Sequence, residues 1–170
     1  MVFDQDLGDL FVVRLAGNTA DEAGVGSMEY AVDHLGPKLI VVMGHTSCGA
    51  VKAAVETIEA GKDAASLPGH LAAIVGPIMP AVADTLKDGK QADAVKGAVI
   101  RNVQRTVASL RECGPILKEA VEKDGVRIVG AVYDLASGEI DFVPDLSPNS
   151  KTNSNAAASA GESGKDNAEH

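Results

Sequence analysis

The residues with the clearest chemical potential are His45 and Cys48, in the stretch "VVMGHTSCGAVKAAVE" (Val41–Glu56). Zinc binds imidazole nitrogen and thiolate sulfur, and a two-residue spacer lets one tight loop present both to a single ion. A catalytic zinc takes three protein ligands and keeps a fourth position for water or substrate. Cys48 also stands where a helix should begin, and the helix dipole and free amides there favour a thiolate. Gly49 beside it allows a ligand to approach the backbone closely. The same spacing also suits a plain turn that holds a polar histidine and a small buried cysteine, because one H-x-x-C is a weaker signal than paired C-x-x-C units. His34 and His70 read as surface or capping residues, and Cys113 as a buried small hydrophobe.

Such a loop needs a strand to deliver His45 and a helix to receive Cys48. "KLIVVMG" (Lys38–Gly44) is a near-continuous apolar run of the kind buried on both faces. From about Gly49, Val51, Ala54, Val55 and Ile58 share one helical face, with Gly61 at the end. Upstream, "LFVVRLA" (Leu10–Ala16) predicts a buried strand stopped by Gly17-Asn18, and Ser27 predicts the N-cap of a helix that ends at Gly36. Downstream, "LPGHLAAIVGPIMPAVADTL" reads as a helix kinked at Pro77 and Pro80. Val95, Val99, Val103, Val107 and Leu110 then form a helical stripe over Asp93–Leu110. A short helix follows from Pro115, and "VRIVGAVYDL" with "EIDFV" predicts a β-hairpin turning at "ASG". The order predicts an α/β fold over residues 1–146, a mostly parallel sheet flanked by helices with a C-terminal hairpin. Ligands in such sheets gather beyond the carboxyl ends of the strands, where His45 and Cys48 lie.

The totals narrow the field. A chain of 170 residues with 45% hydrophobic and 23% charged content is globular material for one domain. With 3% aromatics and no Trp, its core must come from Val, Ile, Leu and Ala. A net charge of −9 argues against nucleic acid as a partner. Two cysteines make no disulfide framework and point to a reduced, cytoplasmic setting. No apolar run is long enough to span a membrane, and the N-terminus lacks the basic region of a signal peptide. Residues 147–170 hold Ser, Asn, Ala, Gly, Lys and Glu with no large apolar side chain, and are expected to be disordered. A phosphate-binding role for "LAGNTADEAG" lacks both G-x-G-x-x-G and G-x-x-x-x-G-K-[ST].

Taken together, "GDLFVVRLAGN", "GSMEYAVDHLG", "LIVVMGHTSCGAVKAA" and "IVGAVYDLASGEIDF" resemble the β-class carbonic anhydrase family, in its order and spacing, from Phe3 to Val143. The resemblance implies a mainly parallel sheet flanked by helices, in a homodimer or a higher assembly. It implies one Zn2+ per subunit with His45 and Cys48 as two of its ligands, and carbon dioxide and bicarbonate as substrate and product. Zinc in that family lowers the pKa of its water so that hydroxide attacks carbon dioxide near neutral pH. By the same likeness Phe11, Ala16 and Tyr30 line the substrate pocket and the Gly49 amide faces a substrate oxygen.

The sequence departs from the family pattern in one respect that bears on chemistry. The family's first zinc cysteine belongs to a C-x-D-x-R motif, and alignment places that motif before Met1. The resemblance therefore implies a chain without the first cysteine ligand, the Asp–Arg pair or the N-terminal helix that packs on a neighbouring subunit. Neither Asp4 nor Asp6 takes the Asp position, and Leu15 stands where many members carry Asn. Two readings follow: a carbonic anhydrase impaired in this form, or a non-catalytic interaction or assembly subunit that pairs with a full-length homologue. Loss of the strand before "LFVVRLA" is expected to expose a sheet edge.

Overall fold

The computed structural model describes residues 2–89 and 93–146; the expected disordered tail, 147–170, lies outside them. Five α-helices and three strands follow in the order α1 (Glu22–Leu35), β1 (Leu39–His45), α2 (Gly49–Glu59), α3 (Leu71–Lys87), α4 (Ala94–Glu112), α5 (Ile116–Lys123), β2 (Arg127–Tyr133) and β3 (Ile140–Val143). The strands form a mixed sheet in the order β1-β2-β3. β1 and β2 run parallel with Leu39 opposite Arg127 and His45 opposite Tyr133, and β3 pairs antiparallel to β2. The fold is α/β as expected, a parallel pair joined to a C-terminal hairpin with α4 packed against both strands of the pair.

Helix α4 organises the interior. Its stripe of Val99, Val103, Val107 and Leu110 is buried, as the helical period requires. Val99 joins Cys48, Val51, Val55, Val75 and Ile78 in one apolar cluster between α2, α3 and α4. Val103, Val107 and Leu110 join Val42, Leu117 and Ile128 in a second, against the sheet and α5. Two glycines let the helix lie close to the sheet. A methyl group at Gly44 would stand 2.8 Å from Val103 Cγ2, and one at Gly130 would stand 2.6 Å from Val103 Cγ1. Val103 therefore fills the hollow left by two missing side chains on neighbouring strands.

Local chemistry sets the element ends. Gly36 closes α1 in the left-handed conformation, its amide donating to the Ala31 carbonyl. The start of α1 differs from expectation. It begins at Glu22, because the Asp21 carboxylate accepts the Gly24 amide at 2.7 Å and caps the helix five residues before Ser27. The Ser27 hydroxyl instead donates to the Ala23 carbonyl one turn back. Helix α3 runs as one element through Pro77 and Pro80. The hairpin turn is held by Asp134, whose carboxylate accepts the amides of Ala136 and Ser137 at 2.8 and 2.9 Å, and by Gly138 at φ +79°.

The expected buried strand at Leu10–Ala16 does not form. Leu10, Phe11 and Val12 are exposed by 47%, 50% and 70%, and no backbone hydrogen bond joins Leu10–Leu15 to any described residue. Strand-forming composition needs a neighbouring strand to act on, and among the described residues Leu10–Leu15 pairs with none of the three strands of the sheet. The chain after Leu15 enters a 3-10 turn, Ala16–Asn18, fastened to α4: the Asn102 amide donates to the Gly17 carbonyl at 2.7 Å and the Thr106 hydroxyl to the Asn18 carbonyl at 3.4 Å.

Candidate metal centre

Strand β1 carries the chain out of the sheet at His45, and the next three residues turn it into α2. Thr46 holds this loop against the end of β2. Its amide donates to the Tyr133 carbonyl at 3.0 Å, and its hydroxyl oxygen accepts the Leu135 amide at 3.0 Å. Ser47 reverses the chain at φ +57°, a left-handed conformation that costs a non-glycine residue about 1 kcal/mol or more. Cys48 follows as the N-cap of α2, its carbonyl accepting the Lys52 amide at 2.9 Å. Both donors of the H-x-x-C are thus fixed by backbone bonds, His45 through the pairing of β1 with β2 and Cys48 through the first turn of α2.

The two side chains meet different surroundings. His45 is half-buried, and its Nδ1 lies 2.9 Å from the Thr46 carbonyl. A carbonyl only accepts, so Nδ1 carries the proton and Nε2 keeps its lone pair in the neutral ring. A backbone carbonyl on the far nitrogen is the usual way a metal-binding imidazole is oriented. Cys48 is 3% exposed and packs in the α2–α3–α4 cluster as a free thiol. Cys113 is a free, half-buried thiol after α4, packed against the other cluster. His34 stacks on Tyr30 with ring centroids 4.3 Å apart, and His70 is the N-cap of α3.

The residues assigned to a substrate pocket by resemblance are all exposed in the single chain. Phe11 and Ala16 are exposed before and at the 3-10 turn, Tyr30 is 55% exposed on α1, and Gly49 opens α2 with free space beside it. Two surface clefts are lined elsewhere: one by Leu15, Asp21 and Gly24, another by Thr19, Asn102, Arg105 and Thr106. Asn18 lies beside the end of β1 that leads into the loop. Asn18, at φ +45°, places its side-chain oxygen 3.3 Å from where a methyl group on Gly44 would be, and its amide nitrogen is buried with no acceptor among the described residues. "AGN" was visible in the sequence, but nothing in its pattern marks an amide donor left unpaired.

Among the described residues no group of three or more His, Cys, Asp or Glu side chains is gathered to hold a metal ion. His45 and Cys48 suit zinc by type, yet they fall one short of the set a catalytic site uses. The described residues do not by themselves make a complete zinc site.

Fold and site define an α/β protein with a histidine–cysteine loop at the carboxyl end of a parallel strand. The family model for carbonic anhydrase matches residues 1–140. Carbonic anhydrase 2 of Mycobacterium tuberculosis is 42% identical over 139 residues, covering 81% of this chain and 64% of that protein. A carbonic anhydrase of Mycolicibacterium smegmatis is 38% identical over 142 residues, covering 84% of this chain and 66% of that one. Among solved structures, a β-carbonic anhydrase of Aspergillus fumigatus superimposes with a TM-score of 0.75 at 26% identity, covering 86% of this chain and 69% of that chain. One of two tetrameric β-carbonic anhydrases from Sordaria macrospora gives 0.72 at 25% identity, covering 83% and 71%. The chain belongs to the β-class carbonic anhydrase family. It spans just under two thirds of the length of the mycobacterial relatives it matches.

Proposed function

We propose that this chain carries the carbonic anhydrase scaffold with two zinc ligands, His45 and Cys48, for reversible hydration of carbon dioxide to bicarbonate. We propose also that the chain by itself is impaired in that reaction. The observation that carries the reading is the loop itself, in which a carbonyl-oriented imidazole and a buried thiol leave adjacent parallel and helical elements. Two donors leave an ion largely hydrated, whereas complete structural zinc sites in peptides are worth about 10–16 kcal/mol. No hydration step is assigned to His45 and Cys48 alone. Phe11, Ala16, Tyr30 and Gly49 are proposed as pocket residues on the family likeness, and the setting as cytoplasmic on cysteine usage.

Stopped-flow hydration of carbon dioxide, with zinc content measured on the same sample of the full chain, tests this. The expected result is weak zinc retention and turnover close to the uncatalysed rate, with residual binding lost in His45→Ala and Cys48→Ser. One tightly held zinc per chain with fast turnover would refute the impairment. Zinc binding unchanged in both variants would refute the ligand assignment.

The non-catalytic reading, a subunit that works through an interface, is favoured by one observation. The segment before the 3-10 turn exposes Phe3, Leu7, Leu10, Phe11 and Val12 together. Large apolar side chains left exposed this densely along a short segment are the material of an interaction site.

A further inference from the structure

Thr46 stands between the two donors of the H-x-x-C loop with every polar atom engaged. Its amide donates to the Tyr133 carbonyl at 3.0 Å, its carbonyl lies 2.9 Å from His45 Nδ1, and its hydroxyl oxygen accepts the Leu135 amide at 3.0 Å. These bonds reach the last residue of β2, the imidazole, and the turn that follows β2. That turn is closed on itself. The Asp134 amide donates to the Glu139 carbonyl and the Gly138 amide to the Asp134 carbonyl, both at 2.9 Å. With the Asp134 carboxylate holding the amides of Ala136 and Ser137, the Leu135 N–H is presented to Thr46 from a fixed frame.

The direction of the Thr46 carbonyl decides which nitrogen of His45 keeps the proton, since the tautomer of a neutral ring follows the hydrogen bond its other nitrogen makes. An unconstrained neutral imidazole favours the proton on Nε2, the nitrogen a ligand must leave bare. The Thr46–Ser47 peptide has a reason to turn over. Ser47 is held at φ +57°, a left-handed conformation that persists only where its surroundings enforce it. A flip of that peptide would change ψ of Thr46 together with φ of Ser47, relieve Ser47 and swing the carbonyl away from Nδ1. The amide bond to Tyr133 fixes only the peptide before Thr46. The hydroxyl bond to Leu135 fixes χ1, and the rotamers open to a β-branched side chain depend on its φ and ψ.

We propose that Thr46 is a positioning residue for His45. Its hydroxyl, bonded to the Leu135 amide, holds the Thr46–Ser47 peptide in the orientation that keeps the imidazole proton on Nδ1 and the Nε2 lone pair bare. The β2–β3 turn thereby sets the state of a side chain on β1 that it does not touch. The use of this to the protein rests on the reading of His45 as a zinc ligand; the tautomer itself does not. A threonine that only stabilised the hairpin would leave the tautomer where it is.

Nitrogen-15 and carbon-13 NMR of the imidazoles, on the full metal-free chain with its rings neutral, reads the tautomer, and His45→Ala assigns the signal. The wild type is compared with Thr46→Val, which keeps the shape and loses the hydroxyl, and with Thr46→Ser, which keeps the hydroxyl. The expected result is the Nδ1–H form in the wild type and in Thr46→Ser. In Thr46→Val the ratio should move toward Nε2–H by about fivefold, the worth of one net hydrogen bond. His34 and His70 should not change. A wild type in the Nε2–H form, a Thr46→Val ratio equal to that of the wild type, or a Thr46→Ser ratio shifted as far as Thr46→Val would each overturn the proposal. Hydrogen exchange on the wild type needs no variant: the Leu135 amide should exchange about tenfold or more slowly than in an unstructured chain. An unprotected Leu135 would overturn the proposal even if Thr46→Val failed to fold. Zinc content decides the ligand reading separately, because the tautomer is read without metal.

Discussion

Val103 and the two glycines that receive it offer a quantitative test of how the sheet is held under α4. The perturbation is Gly44→Ala. Gly44 has no positive φ, so alanine adopts its backbone conformation freely and restricts the unfolded chain, a gain of about 0.4–1 kcal/mol. Against that, the new methyl group would stand 2.8 Å from Val103 Cγ2 and 3.2 Å from Val99 Cγ1. Both neighbours are buried, β-branched and stiff at χ1, so the clash moves α4 or β1 at an overpacking cost of about 1–3 kcal/mol. Val103→Ala alone removes two buried methyl groups at ~0.8 kcal/mol each, and adds a cavity term. In the double variant the alanine at position 44 faces the space that Val103 left. Its own effect should fall to near zero or become slightly stabilising. The coupling energy is therefore expected at about 1 kcal/mol or more, where independent sites add within about 0.3–0.5 kcal/mol. Urea unfolding of the four proteins, with a common m-value, reads it directly. Additive losses, or a Gly44→Ala variant as stable as the wild type, would refute the claim that α4 seats on these glycines. Because Gly44 precedes His45, the single variant should also weaken whatever zinc the wild type retains.

Other predictions rest on separate contacts. Asp21→Ala removes the cap of α1 and should lower stability by about 1 kcal/mol, read as an earlier urea midpoint. Under native conditions a thiol reagent should modify half-buried Cys113 well before Cys48, which should react only as fast as the protein unfolds. The amides of Ser137 and Ala136, bonded to the Asp134 carboxylate, hold its pKa below the ordinary carboxylate value. Its contribution to the hairpin turn is therefore full above that value and lost as pH falls through the depressed one. Amide chemical shifts of Ala136 and Ser137 should move only in that acidic window, and the movement should vanish in Asp134→Ala.

How far the fold was legible depended on whether an element's signal was local. β1, α2, α4 and α5 were legible because a buried strand, an apolar stripe or a helix stop is written into adjacent residues. The αL glycine after α1 was likewise readable, whereas its start was not. Asp21 and Ser27 are both good caps by type, and only the Asp21–Gly24 bond shows which one is used. "LFVVRLA" failed for a different reason: its side chains announce a strand, but a strand exists only with a neighbour to share its hydrogen bonds. Helix α3 passes through two prolines that were expected to kink it, with the buried face of Val75, Ile78 and Val82 packed on α2 and α4.

By itself the sequence determined the donor types and their spacing, the helical and strand periods, and the family to which these segments belong. These depend on chemistry that stays within a few residues. Tertiary structure alone decided that His45 presents a proton to the Thr46 carbonyl, that Cys48 is buried, and that Val103 sits between two glycines. It also decided that Leu10–Leu15 and the edge of β1 both lack a ladder partner among the described residues. Apart from the His45–Thr46 contact between adjacent residues, whose geometry the turn into α2 sets, these features join residues far apart in the chain, and such pairings are set by packing and hydrogen-bond completion, which no local pattern carries.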